Sequence, residues 1–568
     1  MSRSRALAVT AAGLVGLAGG ALGACSSDQF VVVTVQTRPA VHDATTLRVT
    51  VANGGATLSN DLSLTGHTFP VTFSVSAPGR VGDLAITVDA LDTGMQIVGA
   101  GTITTTLDAG SAQVTLDSAD FVVNTEYPMD QYLSDDFEAA GVQVAASDDQ
   151  NWTVAFRDSC NTACNMFARR FDVNGAPVTT DIGAGVNQFA VTTELTDTFT
   201  TPAMAASKTQ TLAFWDFHDE TVMPTLDGVA CRALDEAGHA SAGQLQIATD
   251  AGTDVVSAVG LGNGKFVVTW MAVIGGDAIR SAIVGPDCVV QSGPVQVSPA
   301  STTNARRSHV AVNGNNLLYA WTQSGDLHLR GATTGNVMTT DDVGFLTHSA
   351  TETVEHVRVA PLGTDAFAVA VRWSGVDNNA PGRIEVYRTS ASGQPMGPPT
   401  LITDKSGSDF ESTFAFGIAS RADGAVLVTW HACGDNGDGQ GCGVFARILR
   451  PTGAPVGDAF GVPTTILGDQ RNPSAVGLQD AFAVVWNDMS DQEPDHSGLA
   501  VRARVIYPQY DDATSVHGSV CGDGIAPCAS GLVCAAGTDG ARCYETCDTN
   551  KPTPCPGGGL CTKGACIY

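Results

Sequence analysis

One short strand recurs along the middle of this chain, ending each time on or beside an aromatic residue: WTVAF, TLAFW, FVVTW, LLYAW, FAVAVRW, VLVTW and FAVVW. Aligned on Phe156, Trp215, Trp270, Trp321, Val371, Trp430 and Trp486, the copies fall at intervals of 50–59 residues. The chain has 7 Trp and each copy contains one, although Trp152 and Trp373 sit off the aligned column. Within a copy the aromatic strand follows a short apolar strand and a tight turn, as in AVGLGNGKFVVTW and AVGLQDAFAVVW. A variable loop and a third strand come next, as in NMFARRFDVNGAPV and GVFARILRPTGAPVG, where an NG or TG turn leads into a fourth. Four hairpin-linked strands repeated at this period describe the blades of a β-propeller, and seven copies predict a seven-bladed ring over 125–510. The seventh copy ends at VRARVIYPQYDD without a fourth strand, while ADFVVNTEYPMDQYLS at 119–134 precedes the first copy with no unit of its own. This N-terminal segment is therefore expected to complete the last blade and cover its open edge.

The flanking regions are also read as all-β. Residues 29–124 contain no cysteine and alternate with period two through VVVTVQT, TLRVTVA, FPVTFSVSA, DLAITVDAL and AQVTLDS, with turn groups NGG, APG and DAG between them. Enrichment in Val and Thr with this spacing predicts an antiparallel β-sandwich of immunoglobulin or fibronectin III type, serving as a spacer. The tail, 519–568, holds Cys521, Cys528, Cys534, Cys543, Cys547, Cys555, Cys561 and Cys566 in a duplicated pattern in which PCASGLVC matches PCPGGGLC. A segment this short cannot bury a sufficient core, so four disulfides are expected to constrain it, in any of 105 connectivities.

The chain opens MSRSR, continues through small and apolar residues, and reaches a cysteine in LGAC. Residues 1–24 read as an export signal with a basic start, an apolar middle and a small-residue cleavage site. Leu22, Gly23, Ala24 and Cys25 resemble the lipobox of bacterial lipoproteins, and the resemblance implies cleavage before Cys25 and a lipid on its thiol. Ser26 at the next position resembles the pattern sorted to the outer membrane. No later apolar run reaches the ~18–20 residues that span a bilayer. Export implies an oxidising compartment, where cysteines pair. With Cys25 taken by lipid, the 15 Cys leave an even number. Cys160 with Cys164, and Cys433 with Cys442, would each staple a loop, and Cys231 with Cys288 would tie blade two to blade three.

With 58 acidic against 29 basic residues, the field of the chain repels phosphate backbones and anionic headgroups, which excludes a nucleic-acid or polybasic membrane mode. The repeats resemble those of bacterial extracellular propellers, "fvVtW … arrfd.nG.pvg". As a whole the chain resembles bacterial, myxobacterial-type outer-envelope lipoproteins with a lipobox, an immunoglobulin-like domain, propeller repeats and a cysteine-rich tail. That resemblance implies a lipid-anchored protein of the cell envelope, at the outer membrane or cell surface; a monomer is expected.

Candidate chemistry is thin. Motifs of the forms H-E-x-x-H, H-x-H and G-x-S-x-G are absent, as is the sialidase-type S-x-D-x-G-x-x-W turn, so no catalytic residue is assigned. Acids gather in the variable loops: Asp216, Asp219 and Glu220, Asp377, Asp435 and Asp438, then Asp488, Asp491, Glu493 and Asp495. Equivalent loops emerge on one propeller face, so Trp373, Asp435, Asp438, Asp488 and Asp491 are the candidate ligand rim, and calcium is a candidate cofactor at Asp435 and Asp438. The expected function is non-catalytic binding of a protein or carbohydrate partner. The alternatives are a carbohydrate-active hydrolase or lyase, which needs carboxylates converging at the channel, and a purely structural envelope protein.

Overall fold

The computed structural model describes residues 8–10, residues 30–508 apart from 77–79, 126–130, 134–142, 159–165, 179–187, 193–201, 220–225, 236–239, 241–242, 253–255, 274–276, 300–303, 376–381, 407–415, 435–436 and 493–497, and residues 532–537, 540–545, 560–562 and 565–567. Every regular element among them is a strand. Seven strands spanning Phe30–Thr37 to Ser111–Ser118 form the N-terminal unit, a single sheet curled over one core. Alternation drives it: along Thr46–Asn53 every second residue is buried, which sends Leu47, Val49 and Val51 inward to meet Phe73, Ile86, Val88 and Leu116. The three residues Ala8–Thr10 add an antiparallel edge along Val71–Ser76.

The strand order corrects the immunoglobulin expectation. One half of the curl orders its strands fourth, first, seventh, and the other third, second, fifth, sixth, whereas an immunoglobulin domain groups A, B, E, D against C, F, G. The third strand pairs with the second and the fourth with the first, and the first also runs parallel to the seventh, from Val32 opposite Ser111 to Thr37 opposite Leu116. At the corner between the halves, a Cβ on Gly101 would lie 2.4 Å from the Thr115 carbonyl oxygen, so only glycine lets the sixth strand approach so closely.

The ring of seven blades is present. Its inner strands are Val144–Ala146, Ala203–Ser207, Ser257–Gly260, Ala305–Asn313, Glu352–Leu362, Phe416–Ser420 and Gln470–Gly477, and each pairs with a second strand carrying the aligned aromatic column. Unlike the sandwich strands, second strands such as Phe266–Ala272 and Val426–Ala432 are buried along their whole length, because blades pack on both faces. The column points backwards around the ring. Trp321 packs with Val267 and Ile279 of blade three, Trp486 with Leu427 and Val444 of blade six, and Phe156 with Val485 and Val501 of blade seven, which closes the circle.

Two further devices recur at the blade junctions. An arginine at one position of the third strand donates to a carbonyl at the outer edge of the blade before: Arg169 to Val123, Arg232 to Val191, Arg330 to Val297, Arg447 to Ile402 and Arg504 to Val462. Blade three has Ala282 at this place, and there the Cys231–Cys288 disulfide joins it to blade two. The inner strands also approach closely. A Cβ on Gly260 would lie 1.8 Å from the Ala206 carbonyl oxygen, and one on the equivalent Gly477 would lie 1.9 Å from that of Ser420.

Blade seven takes its outer strand from the N-terminal side: Phe121 and Val122 pair with Ala503 and Arg502. The second part of the expected closing segment goes elsewhere, since Gln131 and Tyr132 pair with Asp158 and Arg157 of blade one. The sandwich is docked directly on this closure, with the Ser118 hydroxyl donating to the Val505 carbonyl and Arg504 donating to that of Ser118. In the tail, two hairpins set Cys534 opposite Cys543 and Cys561 opposite Cys566, the same register in both halves of the duplication.

Candidate functional site

The axial channel encloses about 230 Å³ and is walled by three consecutive residues of each inner strand, such as Val144–Ala146, Ala258–Gly260 and Ala475–Gly477, and in blade four also by His309 just before them. Apart from Ser420 and His309, those wall residues are apolar or glycine, and no carboxylate lines the channel among the described residues. The convergence of carboxylates that a hydrolase would need is therefore not found there.

One position just before the wall carries polar groups that link neighbouring inner strands. Ser257 accepts from the Val310 N–H, His309 Nδ1 from the Val359 N–H, and Ser474 from the Gln143 N–H. In blade six His431, on the second strand, takes a comparable role toward the Asn472 N–H. His309, His356 and His431 are all buried. Burial, reinforced by Arg358 beside His309, by Arg307, Arg372 and Arg358 around His356, and by Arg471 and Arg372 near His431, holds all three imidazoles well below the usual histidine range, with His431 at about 3. They are neutral at pH 7.

On the loop face, between blades four and five, lies a cleft of about 670 Å³. Its polar wall includes Asn304, Arg306, Arg307, His348, Thr353 and Glu355. Two β-bulges shape it: the inner strand of blade four shifts register between Arg306 and His309, and that of blade five between Val354 and His356. Such bulges re-aim side chains that a regular ladder would hold in alternation. Arg307 sits in the left-handed region (φ 53°) and its guanidinium donates to the Glu355 carbonyl across the junction at 2.6 Å. The Glu355 carboxylate is ion-paired with the buried Arg372, and His348 Nδ1 contacts Asp326 at 2.7 Å.

The expected rim does not assemble as read from the sequence. Trp373 is only 7% exposed: it packs in the core shared with blade four, donates to Glu385, and lies under the Arg383 guanidinium. Asp488 is buried too, accepting from Arg502, Ser490 and Gln470, and burial pushes its carboxyl up against the opposing pull of Arg502. With Asp120 on the other side of Arg502, it forms a buried acid–base–acid triad that fastens the closing strand. Asp216 is buried as well. Asp491 is exposed in the loop of blade seven, and Asp438 accepts from the Gln440 N–H in the loop stapled by the Cys433–Cys442 disulfide. Asp435, Asp377, Glu220, Glu493, Asp495, Cys25, Cys160, Cys164, Cys521, Cys528, Cys547 and Cys555 lie outside the described residues. Among those described, no group of three His, Cys, Asp or Glu is placed to hold a metal.

No protein-family model matches the chain, and no curated protein matches it. Solved structures do resemble it. A polysaccharide lyase described as a PL25 ulvan lyase is 9% identical, with 67% of this chain and 95% of that one covered at a TM-score of 0.40. A Dyadobacter fermentans protein of unknown function is 12% identical, with 69% and 99% covered and a TM-score of 0.38. The six-bladed propeller lectin of Aleuria aurantia is 11% identical, with 58% and 97% covered and a TM-score of 0.33. Likenesses at this level assign no ligand to this chain.

Proposed function

We propose that this chain is a cell-envelope lipoprotein, anchored through Cys25 at the outer membrane or cell surface, whose propeller binds carbohydrate without transforming it. The cleft between blades four and five carries the reading. Its wall combines arginine, asparagine and threonine, which serve sugar hydroxyls as donors and acceptors, and its volume lies within the range of small-ligand sites. Among the described residues Glu355 is the one carboxylate in that wall, and it is ion-paired with Arg372 rather than set beside a second acid as paired-carboxylate hydrolysis requires.

The test is binding and turnover measured together. The detergent-solubilised full chain is expected to be retained on immobilised polysaccharide, to lose retention on Arg306→Ala substitution, and to release no new reducing ends or unsaturated products. Product release would establish the hydrolase or lyase alternative, and absence of retention on any polysaccharide would favour the purely structural one.

A further inference from the structure

We propose that the group recognised in the cleft between blades four and five is an anion, the carboxylate or sulfate of an acidic saccharide, met by Arg306 and Arg307. The proposal rests on the carbohydrate reading and names the ligand class within it.

Charge is the first argument. Acids outnumber bases two to one in the chain, 58 to 29, yet this wall presents two adjacent arginines, with Arg372 and Arg358 buried close behind. The local acids are themselves paired: Glu355 with the buried Arg372, and Asp277 at 3.7 Å with one nitrogen of Arg306, whose side chain is still 60% exposed. The Arg306 guanidinium therefore keeps most of its surface toward solvent, where a ligand can reach it.

Geometry is the second. The bulge at Arg307 takes a residue out of the ladder into the left-handed backbone region, strain of a kind that gathers at ligand sites. That position holds a charged side chain over the seam between two blades, close to a second bulge at Glu355.

The third argument is His356. It is fully buried, and neither of its ring nitrogens has a hydrogen-bond partner among the described residues. Burial first, and then the Arg307, Arg372 and Arg358 guanidinium groups around it, hold it neutral, so three cations are gathered at this seam beside the single carboxylate of Glu355. A positive potential with its cations placed in advance favours an anion over a neutral ligand.

Calorimetric titration of the detergent-solubilised full chain tests this with polygalacturonate, dextran sulfate, neutral dextran, free glucuronate and inorganic sulfate. Binding is expected for the acidic polymers and to weaken as NaCl rises, and the stronger of polygalacturonate and dextran sulfate identifies the anion as carboxylate or sulfate. Loss of a charge-assisted hydrogen bond predicts about a tenfold to hundredfold weaker affinity for Arg307→Ala. Arg307 also touches the backbone of blade five, so the exposed Arg306→Glu variant keeps the test independent of folding: abolished binding with an unchanged melting temperature is expected. Dextran binding as tightly as dextran sulfate, or Arg306→Glu binding like the parent, overturns the anion proposal and leaves the carbohydrate reading standing. Free sulfate or glucuronate binding without any polymer binding retains the anion site and overturns the carbohydrate reading.

Discussion

Blades one to three and blades four and five are built on the same repeat but spend one position differently. Where blade two has Ala203 and blade three Ser257, blade four has His309 and blade five Arg358. Ser257 and His309 perform the same task, each accepting a backbone N–H from the next inner strand. A serine suffices for that bond. The histidine makes it and leaves Nε2 buried, without a hydrogen-bond partner among the described residues, at the wall of the axial channel. The ring's need is thus met by a small residue in blade three, and blade four meets it with a larger, titratable one.

The comparison breaks most severely at the closure, on which both halves depend. Asp120→Ala removes the acceptor of Arg502, of the Thr464 and Thr465 N–H groups and of the Thr465 hydroxyl. Stability should fall by about 3–5 kcal/mol, as for a buried ion pair that loses one member. Urea denaturation followed by tryptophan fluorescence should show it as a single shifted transition, and separate transitions for the two halves would mean that the closure does not couple them. Next in size, Gly260→Ala in blade three and Gly477→Ala in blade seven, on opposite sides of blades four and five, should each cost about 1–3 kcal/mol by overpacking against a carbonyl, and by equal amounts. Unequal losses would show that the scaffold itself is asymmetric.

The smallest effect at neutral pH sharpens the comparison furthest. His309→Ser reproduces blade three in blade four and should change stability by less than about 1 kcal/mol at pH 7 while altering the acid response. The folded protein holds His309, His356 and His431 below the unfolded value of about 6.5, so unfolding takes up protons below that pH. Stability is then full above about pH 6.5 and is lost as the pH falls toward 3, where His431 titrates in the folded state. Each histidine contributes up to about 1.4 kcal/mol per pH unit within that window. Urea midpoints at pH 7 and pH 5 should draw closer together in the serine variant, and an unchanged gap would assign the acid response to other groups.

The ring was legible because its signal is local and repeated: a second strand buried on both faces must be apolar throughout, and a blade lacking a fourth strand must borrow one. The arginine of FARRF and ARILR could be seen as a pattern, but its role could not, since its acceptor belongs to the previous blade. Trp373 and Asp488 misled for one reason. Each sits at the end of a second strand, where loop and core are adjacent in sequence, and the side chain turned inward. The cleft was missed because it depends on bulges at Arg307 and Glu355, which carry no compositional mark. Two adjacent arginines in a chain this acidic were the available clue.

Synthesis order gives the closing strand a further consequence. Ser118 and its partner Val505 are 387 residues apart, so at roughly 5–20 residues per second the first-made edge waits about 20–80 seconds for the last blade to be translated. Through that interval Phe121 and Val122 lack their strand partner, and blade one lacks the neighbour that covers Phe156. The nascent chain is therefore an open arc with two unsatisfied ends until nearly the whole ring exists. A truncation anywhere in blade seven should leave both ends exposed together, and the cell would meet it as a substrate for proteases rather than as a shortened binding protein.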